Sequence, residues 1–379
     1  MGLSVPTPTF ADTAPSARMA GPDVVRAVAL IGVVVMNFHG YLILRDIESG
    51  GVHAPTGWLD ELFDPWDGPL STRFAATFVL VAGVGVTLLT RRTLGEPTRV
   101  REMRWRLVRR GVLLYVVGLL LEQIWPGTII VYYGVMFVLA AGIFTWRSRW
   151  IVAAGAVTAI GSTALRSWRF DRARDGDSTS WLTSPGDDSI RRYVFDVFVN
   201  GTHPLLPWFS FLCAGIVLGR ILPLRWWRRA TVGAGLASVS VAWFLSALLT
   251  AGDGDGNGDG DLAGVVFSTN PLDRSIVYVT SALGTALLAY AAIDWLAERF
   301  PRPTDPLRRA GQLTLSLYLA HVLVFNLLVD WLGWVEPAGT SSALLFAAGF
   351  WVGAIALAAW WQRRFGRGPA EYVYRAFGG

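Results

Sequence analysis

The stretch Pro22-Asp-Val-Val-Arg-Ala-Val-Ala-Leu-Ile-Gly-Val-Val-Val-Met-Asn-Phe-His-Gly-Tyr-Leu-Ile-Leu44 decides the fold. It is apolar for longer than a bilayer-spanning helix requires, about 20 residues. It carries an acid–base pair, Asp23 and Arg26, at its start and two polar side chains, Asn37 and His39, near its end. A cleaved leader would be a lone, shorter apolar run. Here further runs follow, at about 71–90, 109–125, 128–146, 150–168, 203–222, 231–250, 275–298, 312–332 and 342–362. The chain therefore reads as all-α, a polytopic integral membrane helical bundle of about ten transmembrane helices. Residues 1–21, rich in Pro, Ala, Ser and Thr, read as a disordered cytoplasmic tail, and 22–379 as one transmembrane domain.

Composition agrees. Of 379 residues, 53% are hydrophobic and only 16% charged, against roughly a quarter charged in soluble domains. Every basic residue is Arg. The segments 1–26, 91–110, 147–149, 220–229, 299–309 and 363–375 hold 24 of the 33 Arg, and alternate segments of a ten-helix chain face one side. The positive-inside rule makes that side the cytoplasm, with both termini in it. The basic balance thus reflects topology and not nucleic-acid binding. Cys213 is the single cysteine, so no intrachain disulfide is possible, and it reads as a small packing residue. Trp125, Trp146, Trp168, Trp227, Trp331 and Trp361 fall near helix ends, as interfacial anchors do. Pro126-Gly127-Thr128 forces a tight hairpin between the third and fourth spans. The alternating Asp/Gly run from Asp253 to Asp261 imitates a calcium loop, but Gly264 stands where the twelfth-position Glu belongs; it reads as a solvated loop, and no metal site is expected.

Ionisable groups inside spans are candidates for function, because the bilayer makes them costly. Asn37 and His39 follow Arg26 by 11 and 13 residues, roughly 16–20 Å along a helix. Arg26 and Asp23 thus lie at the inner surface, while Asn37, His39, Arg73, Glu122 and His203 share an outer slab. A histidine base, a carboxylate and Asn or Arg donors are the parts that acyl transfer uses. The same charges could instead line the path of a transporter or flippase, or serve packing in a structural subunit. His321 lies deeper, and His53 is in the first outer loop.

The order of motifs resembles the heparan-alpha-glucosaminide N-acetyltransferase-like membrane proteins and the related bacterial YeiB-like proteins. Asp23-Val-Val-Arg26-Ala-Val-Ala-Leu-Ile-Gly32 with Met36-Asn37 is similar to their opening, with Ala27 where a Gly is usual. Thr72-Arg73-Phe74 to Gly85, His203-Pro204 to Trp208 with Gly215 and Gly219-Arg220, Gly311 to Tyr318, and Gly368-Pro369-Ala-Glu371 to Arg375 continue the resemblance. It implies a bacterial cytoplasmic-membrane acyltransferase that takes an acyl group, acetyl above all, from cytoplasmic acyl-CoA (acetyl-CoA) and delivers it to an extracytoplasmic sugar or glycolipid. Arg26 and Asp23 would meet the donor, His39 or His203 would deprotonate the acceptor, and Asn37 and Arg73 would stabilise the oxyanion.

Overall fold

The computed structural model describes residues 19–51, 57–184, 190–250, 262–337 and 339–379. The expected N-terminal tail, His53 and the Asp/Gly run lie outside or almost wholly outside the described residues. Among the described residues the fold is all-helical. The main helices are α1 (Ala20–Glu48), α2 (Arg73–Thr90), α3 (Pro97–Glu122), α4 (Ile129–Ile143), α5 (Ser148–Arg174), α6 (Leu205–Ile221), α7 (Trp227–Thr250), α8 (Ile276–Arg299), α9 (Pro301–Gln312), α10 (Thr314–Phe325), α11 (Gly339–Phe365) and α12 (Pro369–Gly378). Each of the ten apolar runs read from sequence falls on one of them. Among the described residues, six helical segments are by themselves long and apolar enough to cross a membrane, and a bent pair, Ile190–Asn200 with Leu205–Ile221, makes a seventh if it is one broken span. The helix α4 is shorter, and α3 and α5 carry Arg-bearing extensions, which is why these three fall outside that set.

The bundle is built around α1, which packs on α2, α8, α9, α10 and α11. Close crossings are made with glycine, as membrane helices require in the absence of a hydrophobic drive between them. A Cβ at Gly215 of α6 would strike the Leu80 carbonyl of α2, and one at Gly83 would strike the Leu212 carbonyl. Beside them, Arg220 caps the end of α4, donating to the carbonyls of Phe144 and Trp146 at 2.8 Å each. The α3–α4 hairpin turns as expected at Gly127, whose φ of +82° only glycine adopts without strain. By contrast α7 lies at the periphery and packs mainly on α8.

Two expectations about single residues are resolved by packing. Trp125 is no interfacial anchor: it is 2% exposed and stacks on Tyr41, ring centres 3.7 Å apart, because the tight hairpin folds it inward. Trp227 is buried too, against Tyr290, whereas Trp146 and Trp331 are exposed. Cys213 is buried within α6, as a small packing residue.

Two cavities on a shared wall

The helices leave two large cavities, one in each half of the bundle. The first, of about 940 Å³, opens at the Arg-rich end. Arg26, Arg91, Arg106, Arg110, Arg367 and Arg375 line it, against the carboxylates of Asp23 and Glu371. Both carboxylates are engaged. Asp23 accepts from Arg26 Nη1 at 3.1 Å and from Gln312 Nε2 at 3.0 Å. Glu371 reaches from α12 to the start of α10, accepting from the backbone N–H of Leu315 at 2.7 Å and Ser316 at 3.1 Å, and from the Ser316 hydroxyl at 2.5 Å. This is an N-terminal cap supplied from another helix, at the end where a helix favours negative charge. Arg110 lies 4.9 Å over the ring of Tyr374, so α12 is held across α3 as a wall of the cavity. Deeper in, Phe78, Ala82, Val86, Leu114 and Phe137 make the lining apolar.

The second cavity, of about 900 Å³, mixes acids, bases and aromatics. Asn37, Glu122 and His203, three of the residues singled out in the sequence, line it together with Asp196, Arg192, Arg274, Tyr132 and Trp208. Among the described residues, His203 Nδ1 is buried without a hydrogen-bond partner. Its ring meets Trp208 edge-on, centres 4.5 Å apart. The chain enters α6 here through a π-turn, Asp196–Asn200, and Arg274 fixes that turn. Its guanidinium donates to the carbonyl of Val199 at 2.6 Å and to that of Gly201 at 2.7 Å. Among the described residues, the two non-glycine residues with positive φ, Thr72 (61°) and Arg274 (52°), both line this cavity. Such backbone costs of order 1–3 kcal/mol each and concentrates where function requires it.

Asn37 is held from behind. The imidazole of His321 donates through Nδ1 to the Tyr318 carbonyl, which can only accept. Its Nε2 is therefore the acceptor, and Asn37 Nδ2 donates to it at 3.1 Å. The carboxamide is thereby oriented with its remaining capacity toward the cavity.

The other two outer-slab residues lie elsewhere. His39 is 1% exposed, donates through Nδ1 to the Phe63 carbonyl at 2.9 Å and accepts at Nε2 from Thr340 at 3.0 Å. It ties α11 to the segment before α2 and lines neither cavity. Two residues after Asn37 on one helix, it points about 200° away. Arg73 packs 5.5 Å over Tyr278 and lines neither cavity. Asp23 and Arg26 do share the basic cavity, as their pairing in sequence suggested.

Ile129 and Tyr318 belong to the walls of both cavities. The Tyr318 hydroxyl pairs with Thr128 Oγ1 at 3.0 Å and accepts from Ile129 N at 3.3 Å, and so closes the floor between them. No cluster of His, Cys, Asp or Glu suited to a metal ion occurs among the described residues.

The bundle thus carries two cavities back to back, one basic and one lined by acids, bases and aromatics. Residues 18–248 match the family described as heparan-alpha-glucosaminide N-acetyltransferase, catalytic. The chain belongs to that family, which makes it an integral membrane protein of acyltransferase-like function. Residues 261–378 match a second family, described as protein of unknown function (DUF418). No curated protein matches the chain.

Proposed function

We propose that this protein moves an acyl group, acetyl in the first instance, from cytoplasmic acyl-CoA to a hydroxyl or amine of an extracytoplasmic sugar or glycolipid. One observation carries the reading: the basic and the mixed cavity meet at a single wall, Tyr318 with Ile129. The Arg count favours the basic end as the cytoplasmic one, with ten spans and both termini inside. Six guanidiniums there suit a polyphosphate, since Arg recognises phosphate through paired N–H donors. The apolar depth beyond them suits the neutral arm that carries the thioester.

At the shared wall the acceptor hydroxyl attacks the thioester carbonyl. A C–O bond forms, the C–S bond breaks, and the hydroxyl proton passes through His203 to the departing thiolate. Asn37, braced by His321, donates to the developing oxyanion. Glu122 contacts the acceptor. Between the two candidate bases the geometry favours His203, because both nitrogens of His39 are occupied in packing.

The test uses protein purified into nanodiscs with acetyl-CoA and cell-envelope extract, reading release of CoA thiol. Acceptor-dependent release is expected from the wild type. A wild type that neither binds acetyl-CoA nor releases thiol would overturn the proposal and favour transport of a glycan or lipid through the same two cavities.

A further inference from the structure

The mixed cavity has an edge that is amphipathic across its width. One side is the outer half of α3, presenting Tyr115, Leu119 and Glu122. The other is the short helix Ile190–Phe195 and its π-turn, presenting Arg192, Tyr193 and Asp196. The principal packing of α3 is on α4 and α12, and that of the short helix is on the π-turn after it, so the two walls face each other without interlocking. Polar groups stand in this slot among the aromatic and apolar ones: Glu122, and Asp196 paired with Arg192 at 3.6 Å with both side chains partly exposed. Outside it, this half of α3 is apolar and bare, and the short helix sets exposed Tyr193 and Val194 beside exposed Arg191 and Arg192. On α3, Val116 is 48% and Leu120 69% exposed, and Tyr193 across the slot is 56% exposed.

The rim is amphipathic as well. Leu44, Tyr193 and Leu272, on three different elements, all line the cavity and are all exposed, beside the exposed polar lining residues Arg192, Gln123 and Thr202. Such a rim suits an amphiphile: its large exposed apolar side chains belong against hydrocarbon or the lipid interface, and its polar ones against a headgroup. The polar interior still demands a hydroxylated, hydrogen-bonding guest.

We propose that the acceptor is a hydroxylated headgroup carried on a membrane lipid. It enters the mixed cavity sideways, between α3 and the short helix Ile190–Phe195, while its hydrocarbon chains stay in the bilayer along Val116 and Leu120. The inference rests on the acyl-transfer reading above and narrows its acceptor to one class.

The experiment incubates membranes containing the overproduced protein with radiolabelled acetyl-CoA and partitions the products between chloroform–methanol and water. Membranes containing the His203→Ala variant supply the background. Base-labile label in the organic phase, about tenfold or more above that background, is expected. Label confined to water-soluble glycan or wall polymer would overturn the lipid acceptor and leave acyl transfer standing. Label in neither phase would sink acyl transfer, and the lipid acceptor with it. Tyr193→Arg tests the route itself. It places a charge on the lipid side of the slot, and the exposure of Tyr193 keeps the change compatible with folding. The KM for the lipid acceptor should rise about tenfold while affinity for acetyl-CoA, bound in the other cavity, stays unchanged. An unchanged acceptor KM would overturn lateral access.

Discussion

The two cavities are nearly equal in volume, about 940 and about 900 Å³, and opposite in chemistry. The basic one holds six guanidiniums over an apolar shaft and keeps both its carboxylates occupied. In the proposed reaction it holds the charged donor. The mixed one holds an imidazole nitrogen without a partner among the described residues, a braced carboxamide and two residues in costly backbone conformations. In the proposed reaction it is where the acyl group moves. Under the proposed function, binding power and reactivity are segregated onto the two faces of one wall, and substitutions should sort accordingly.

The largest effect should come from the reactive side. His203→Ala is expected to lower acyl transfer about 10²- to 10⁴-fold, with acetyl-CoA affinity and melting temperature near those of the wild type. His39→Ala should do the reverse, lowering the melting temperature more than the intrinsic rate, because it severs the tie between Thr340 and Phe63. Turnover and thermal melting of both purified variants decide the matter. A fully active His203→Ala protein would erase the contrast between the cavities.

On the binding side, Arg26→Gln and Arg106→Gln should each weaken acetyl-CoA binding about 10- to 100-fold, the worth of a charge-assisted hydrogen bond. Acceptor KM should not follow. Two variants are needed because Arg26 also donates to Asp23 and to the Gly311 carbonyl, so its loss touches packing as well. Calorimetric titration with acetyl-CoA reads the effect directly, and equal affinity in both variants would remove the donor from this cavity.

A smaller change is expected at the wall. Tyr318→Phe leaves the Ile129 N–H and the Thr128 hydroxyl without the phenol oxygen, a loss of about 1–3 kcal/mol where such groups are buried. Thermal melting should fall accordingly, and the kinetic parameters of donor and acceptor should shift together. A shift confined to one ligand would show that the wall belongs to that side alone.

The smallest effect should be Glu371→Gln. The cap on α10 keeps an acceptor oxygen but loses its charge, which costs about 1 kcal/mol at a helix N-terminus. The melting temperature should drop slightly and donor affinity modestly, because α12 walls the basic cavity.

Sequence assigns a depth along a helix but no direction around it. Counting from Arg26 for Asn37 and His39, and the alternation of the spans for Arg73, Glu122 and His203, put all five at one level, but the level says nothing about which face meets a cavity. Asn37 and His39, two residues apart, point to opposite sides because a helix turns about 100° per residue. The partner that orients Asn37 is His321, 284 residues away; no local pattern announces such a pair. Arg274 went unnoticed although a signal was present. It is an Arg beside an outer span end, against the positive-inside trend, and such a residue needs a local reason. The motifs fared better. Glycines at 83, 215 and 311 mark helix crossings, Arg220 a helix end, and Glu371 a cap, all of which follow from general packing rules.

Tyr318 and Ile129, common to both walls, have a thermodynamic consequence. Any ligand that shifts this pair while filling one chamber changes the free energy of filling the other. The cycle of four states must close. Whatever factor the donor applies to the acceptor's affinity, the acceptor applies the same factor to the donor's. A floor that shifts in this way is a two-way coupling element between the proposed donor and acceptor, and the order in which two ligands arrive leaves the stability of the ternary complex unchanged.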